Sequence, residues 1–242
     1  AILPVHFSGA PFDSKKLKSI IKRKKIYIIE DAAHGLGSKY KDGSMIGSCK
    51  NCDMTVFSFH PVKSIACGEG GIVTTNNKIF YERLKILRTH GILQPKMNVV
   101  DNYRSQNKSI IQWYYEVQEL GFHYRLTDIQ AALGVSQLNN IDKFLKKRKK
   151  LAEIYDKKLS KIKNLSILNF KNRNYSSNHI YVILIDFKKI NSNRTEFMKK
   201  LLYLGVGSQL HYIPVFLHPY YKKIGDRIKN KFPNTMKYYQ TA

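Results

Sequence analysis

The chain has 242 residues, 43% of them hydrophobic, and 42 Lys+Arg against 17 Asp+Glu give a formal net charge of +25. That is enough apolar material for one large core or two modest ones; with no apolar run of membrane-spanning length and no signal-like opening, a cytoplasmic protein without membrane partners is expected. Three cysteines are too few for a disulfide framework, so reduced thiols are expected.

Ala1–Phe7 reads as a strand, followed by Asp13 as N-cap of a helix carrying Leu17, Ile20 and Ile21. Ile26–Ile29 form an apolar strand that runs into two carboxylates, Glu30 and Asp31. Met54–Phe59 and Gly71–Thr75 are further strands, and a helix is expected from Lys78 to Arg88. The stretch from His90 to Arg125 is irregular and long for a connection, which marks it as functional or as an interface. Thr127 and Gln130 stand in the relation of a capping box, so a helix begins there and should bury Ile129, Leu133 and Leu138. A long basic helix, Ile141 to Leu159, comes next. "SILNF", "HIYVILIDF" and "RTEFMKKLLYLGVGSQLHY" then read as strand, strand, helix, strand. This alternation is the α/β class, with a large domain over 1–145, a small α/β domain over 146–242 and the boundary inside the long helix.

The basic runs Lys15 to Lys25 and Lys143 to Lys150 lie on segments of helical spacing, so solvated helix faces explain them better than a nucleic-acid footprint. Cys49 and Cys52 form a C-x-x-C, with His60 and Cys67 at spacings that zinc tolerates. Together with the charge, this keeps a zinc-stabilised nucleic-acid module as the alternative of a different class.

A carboxylate at the C-terminal end of a strand sits where open α/β sheets keep their ligands, and Asp31 qualifies. Lys63 lies just past another strand, between Pro61 and the glycines Gly68, Gly70 and Gly71. A lysine there can clamp phosphate, pair with a carboxylate or act as a Schiff-base nucleophile. "GEGG" is no Walker A loop, because it lacks the GK[ST] ending and follows the lysine. A Schiff-base lysine with an aspartate that keeps a pyridine nitrogen protonated is the minimal pair for pyridoxal phosphate chemistry. On spacing alone, an ordinary salt bridge explains the two residues as well.

"IIEDAAHGLGSKYKDG", "DMTVFSFHPVKSIACGEGGIVTTN", "RTHGI", "LGFHYRLTDIQAALGVSQLNNIDKFLKKR" and "HYIPVFLHPYY", in this order, resemble the DegT/DnrJ/EryC1/StrS family of sugar aminotransferases over nearly the whole chain. The resemblance implies a fold-type I PLP-dependent transferase with pyridoxal 5'-phosphate as cofactor, no metal, and a homodimer. It implies that Lys63 forms the Schiff base, Asp31 faces the pyridinium nitrogen, His34 lies beside the ring and Ser58 binds the phosphate. His123, in "GFHYR", stands where the family sends an Asn into the neighbouring subunit's phosphate site. Within the family, "GS…DMTVFSFHPVK" is most similar to members that take an amino group from L-glutamate to C4 of a UDP-4-keto-6-deoxy-HexNAc in pseudaminic acid synthesis.

The resemblance has departures. "SIACGEGG" stands for "ITTGEGG", losing two hydroxyls at Ala66 and Cys67. The family segment ahead of "VHF-x-G" and its closing strand have no counterpart, so the sequence reads as an internal fragment. Relatives with histidine at the Schiff-base position dehydrate sugars, and Lys63 argues against that branch. Other C3 or C4 nucleotide-sugar aminotransferases, or an inactive fragment kept for its interactions, are the remaining readings.

Overall fold

A computed structural model of the chain describes residues 1–21, 24–93, 115–168, 171 and 173–242. Two compact units divide it: Ala1–Lys146 with Tyr175–His179, and Lys147–Asn174 with Ile180–Ala242.

The first unit is built on a three-stranded mixed sheet. β1 (Ile29–Asp31) runs parallel to β2 (Met54–Ser58), and β3 (Gly71–Thr74) lies antiparallel on the other edge of β2. The expected first strand is reduced to isolated parallel bridges, Ile2↔Ile28 and Val5↔Asp31. Its backbone still follows β1, with Ile29 N–H donating to Ile2 O at 3.0 Å and His6 N–H to Asp31 O at 2.9 Å. Pro4 between them has no N–H, which leaves a gap in the ladder. The apolar run at Ile26 also enters the sheet later than expected, so both carboxylates lie within β1 rather than beyond it.

α1 (Ser14–Ile21) starts as the sequence indicates, with Asp13 Oδ1 accepting from Lys16 N–H at 3.0 Å. Leu17 and Ile21 pack against buried Ile28, Cys49 and Cys52, whereas Ile20 is exposed. A second cluster gathers Ala32, Tyr40, Ile46 and Phe57 under Leu36 and Phe59. α2 (Lys78–Leu87) is capped by Asn77, whose side chain accepts from Ile79 and Phe80 N–H. β4 (Ile92–Leu93) pairs antiparallel with β5 (Glu116–Val117), and residues 94–114 between them, with Trp113 and Tyr114, lie outside the described residues.

α3 (Asp128–Leu138) begins with the expected capping box between Thr127 and Gln130. Its apolar residues are not buried as expected: Ile129 is 85%, Leu133 45% and Leu138 48% exposed. A capping box fixes where a helix begins and says nothing about which face is covered. α4 (Ile141–Leu159) has the length its spacing implies, and the boundary between the units falls inside it.

In the second unit β6 (Leu165–Ile167) and β7 (Ile183–Ile185) form an antiparallel pair. α5 (Arg194–Tyr203), α6 (Lys222–Ile228) and α7 (Pro233–Thr241) follow. The expected strand after α5 does not form, since the segment from Val206 to Tyr212 has no partner strand among the described residues. An extended run becomes a strand only by pairing. A buried ion pair ties this unit together: Arg173 Nε donates to Asp156 Oδ2 at 3.0 Å, and Tyr181 OH donates to Asp156 Oδ1 at 2.8 Å.

Candidate functional site

Because β1 and β2 are parallel, their carboxyl ends lie at the same edge of the sheet, where the crevice of an open α/β sheet forms. In the register Glu30↔Thr55 and Asp31↔Val56, the alternation of side chains sends Glu30, Thr55 and Phe57 to one face and Asp31, Val56 and Ser58 to the other. Burial follows that division: Glu30 and Thr55 are wholly buried, Phe57 nearly so, Asp31 and Val56 are exposed and Ser58 is half-buried.

The buried face is organised around Glu30. Its Oε1 accepts from Ser14 Oγ and Tyr40 OH, each at 2.5 Å, and its Oε2 accepts from Thr55 Oγ1 at 2.9 Å. The Phe12 amide donates to His6 Nδ1 at 2.9 Å, which leaves the ring proton on Nε2, 3.3 Å from Glu30 Oε2. Burial alone would raise the Glu30 carboxyl, but the contacts from His6, Ser14 and Tyr40 overcome it and lower the group to about 2. Burial and the bond to this carboxylate push the Tyr40 phenol far up. In the sequence Glu30 stands out only as the carboxylate beside Asp31; the two-residue repeat of a strand is the signal that separates their faces.

On the open face Asp31 Oδ1 accepts from the Ala33 amide at 3.0 Å, which fixes the carboxylate at the strand end. Ser58 is paired in register with Gly71, and its Oγ accepts from His60 N–H at 3.4 Å. Lys63 is half-buried in the loop beyond β2, its amide donating to His60 O at 2.9 Å. The loop is closed by Phe59 N–H to Gly70 O at 2.8 Å and by Cys67 N–H to Phe59 O at 3.0 Å. Ser64, Ile65 and Cys67, all buried, anchor it beside the lysine. Gly68 and Gly70 take φ of +82° and +144°, backbone that a side chain would strain, and a Cβ at Gly70 would meet Leu126 Cδ1 at 2.6 Å. The start of α3 backs the loop as well, with Gln130 Nε2 donating to Glu69 O at 3.2 Å.

The structure thus brings Asp31, Ser58 and Lys63 to one end of one sheet. His34 follows β1 directly but is buried: its Nδ1 accepts from the Ser8 amide at 3.3 Å, and its ring lies 4.6 Å from His179 and 5.9 Å from Phe7. His123 is exposed, bridged to Thr89 with its ring 5.3 Å from that of His90. The residues of the zinc reading do not converge. Cys49 and Cys52 lie at Thr55, Cys67 lies against Gly134 of α3, and His60 faces Glu69. Among the described residues no group of three or more His, Cys, Asp or Glu is placed to hold a metal ion.

Residues 1–242 match the model of the DegT/DnrJ/EryC1/StrS aminotransferase family. Over 229 residues the chain is 37% identical to the UDP-4-amino-4,6-dideoxy-N-acetyl-beta-L-altrosamine transaminase of Campylobacter jejuni, a match that spans 95% of this chain and 56% of that protein. Helicobacter pylori PseC, an aminotransferase involved in the biosynthesis of pseudoaminic acid, superposes with a TM-score of 0.80 at 29% identity, over 93% of this chain and 55% of its own. The PLP form of Spr1654 from Streptococcus pneumoniae, named a sugar aminotransferase, superposes at 0.82 with 27% identity, over 99% of this chain and 61% of its own. The chain therefore spans little more than half the length of the relatives it matches. Its mixed sheet and helices are part of the fold-type I architecture of PLP-dependent transferases, and pyridoxal 5'-phosphate is the cofactor of these aminotransferases. A match along its full length, with a fold that agrees, makes this chain a member of the DegT/DnrJ/EryC1/StrS aminotransferase family.

Proposed function

We propose that the protein is a PLP-dependent transaminase that moves an amino group from L-glutamate to C4 of a UDP-4-keto-6-deoxy-HexNAc, in pseudaminic acid or related surface-glycan synthesis. The observation that carries this reading is the placement of Asp31 and Ser58 on one sheet face at the carboxyl end, with Lys63 in the loop directly beyond.

The donor set suits the cofactor. An exposed carboxylate can hold a pyridinium N–H, a hydroxyl at a strand end can donate to a phosphate oxygen, and a half-buried primary amine can condense with an aldehyde. When bound, the cofactor supplies a cationic ring that takes up the electron pair left at the donor's Cα. Asp31 would keep that ring nitrogen protonated, and Ser58 would anchor the phosphate. Lys63 Nζ would hold the cofactor through its aldehyde and, when free, would accept the proton from the donor's Cα. That role needs the lysine neutral for part of the cycle. With the sugar ketone as acceptor, the same amine would deliver a proton to the carbon that receives the nitrogen. His34, held against Phe7 and His179, would stand beside the ring.

His123 is assigned to the phosphate site of a second copy, so the working unit is a homodimer. The net charge of +25 favours a substrate with a nucleotide diphosphate. The cytoplasm, where glutamate and UDP-sugars are available, is the proposed compartment, and no helix among the described residues is long and apolar enough to cross a membrane.

The test is an assay of the purified protein with pyridoxal 5'-phosphate, glutamate and a panel of UDP-linked keto sugars. We expect 2-oxoglutarate and a C4 amino sugar in equal amounts, with parallel-line ping-pong kinetics. Amination at C3 instead would overturn the regiochemistry; release of 2-oxoglutarate with none of the sugars would overturn the substrate class.

A further inference from the structure

Cys49 and Cys52 flank the bend that leads into β2. Cys49 has a left-handed backbone, φ +53°, and the two sulfurs converge on one hydroxyl. Thr55 Oγ1 lies 3.6 Å from Cys49 Sγ and 3.3 Å from Cys52 Sγ. Cys49 Sγ also reaches the carbonyl of Thr74 in β3, at 3.2 Å. Both thiols are free, and they are 7% and 8% exposed, in the cluster with Ile28. Cys52 lines an open depression with Asp53, Asn76 and Lys78, so one edge of the pair borders solvent.

We propose that Cys49 and Cys52 are a redox-active dithiol that closes to an intramolecular disulfide by exchange with a small-molecule disulfide of the glutathione type. The proposal is independent of the transaminase reading. Two residues between the cysteines, a bend, and a shared contact atom bring the sulfurs within reach of each other without moving a strand. The thiol of Cys52, followed by the hydroxyls of Thr74 and Thr55, lowers the Cys49 thiol, whereas the bond to Cys49 and burial push the Cys52 thiol up, so Cys49 is the member of the pair that gives up its proton first. Cys49 then attacks one sulfur of the external disulfide and releases one external thiolate. Cys52 next gives up its proton, attacks Cys49 in the mixed disulfide and expels the second. The protein loses two protons and two electrons, and the external disulfide is reduced to two thiols. Cys67 serves as the internal control: it is 2% exposed against Gly134, and burial pushes its thiol up.

Closure removes the S–H groups that now face Thr74 and Thr55. It also locks the bend ahead of β2, the strand that carries Ser58.

The folded chain is incubated with glutathione disulfide, acid-quenched, alkylated in denaturant and mapped with a protease that leaves Lys50 intact. The peptide holding Cys49 and Cys52 should lose two hydrogens and escape alkylation, Cys67 should be alkylated in full, and dithiothreitol should reverse the change. The variant Cys67→Ser should close as readily as the parent. Full alkylation of both Cys49 and Cys52, a persistent glutathione adduct without closure, or closure only in urea would each overturn the proposal.

Discussion

Glu30 and Asp31 are adjacent in β1, yet one carboxylate is sealed beneath the sheet and the other is exposed on the opposite face. The two-residue repeat of a strand makes this division obligatory. Fixing Glu30 with four partners holds the strand in the register that presents Asp31.

This arrangement predicts an acid-labile fold. The Glu30 carboxyl is lowered from an ordinary 4.5 to about 2, so its contribution is complete above the unfolded value and is lost as pH falls through the folded one. A shift of that size corresponds to about 3 kcal/mol. Denaturant unfolding at stepped pH should show the loss across this window, and Glu30→Gln should flatten it. Equal pH slopes for parent and variant would refute the assignment.

The buried pair in the second unit should be costly to break. Asp156→Ala removes the carboxylate that accepts from both Arg173 and the Tyr181 hydroxyl, and truncating one partner of a buried ion pair costs about 3–5 kcal/mol. A drop in unfolding free energy under 1 kcal/mol, roughly what a surface pair shows, would contradict it.

The helix start at Thr127 carries a smaller contribution. Thr127→Ala removes the hydroxyl that accepts from Gln130 N–H and should destabilise by about 1 kcal/mol. Adding Gln130→Ala should cost less than the sum of the two single changes, because the capping box is one reciprocal unit. Strict additivity would show that the box is not formed.

Asp31→Asn keeps shape but not charge at the strand end. Turnover should fall by about 10²–10³-fold, the usual effect of removing one aimed electrostatic contact. The melting temperature should hardly move, because the side chain is exposed. A variant as active as the parent would remove Asp31 from the reaction.

The parts of the fold that were legible in the sequence are those governed by local chemistry. Asp13 and Thr127 cap the helices their side chains announce, and α4 spans the stretch its apolar spacing marks. What was not legible depends on partners distant in the chain. Pro4 interrupts an edge ladder that its neighbours would complete, residues 206–212 have no strand to pair with among the described residues, and the apolar side chains of α3 stand exposed. The site shows the same division. Asp31, Ser58 and Lys63 could be placed at strand ends from the chain alone, whereas the enclosure of His34 by Phe7 and His179 required the return of residues 175–179 to the first unit.

The most direct measurement reduces the protein, loaded with pyridoxal 5'-phosphate, with borohydride and maps its peptides by mass. A pyridoxyl group on Lys63, absent from Lys63→Ala along with all amino transfer, is the predicted result. A pyridoxyl group on any other lysine, or undiminished turnover by the variant, would contradict the role given to Lys63.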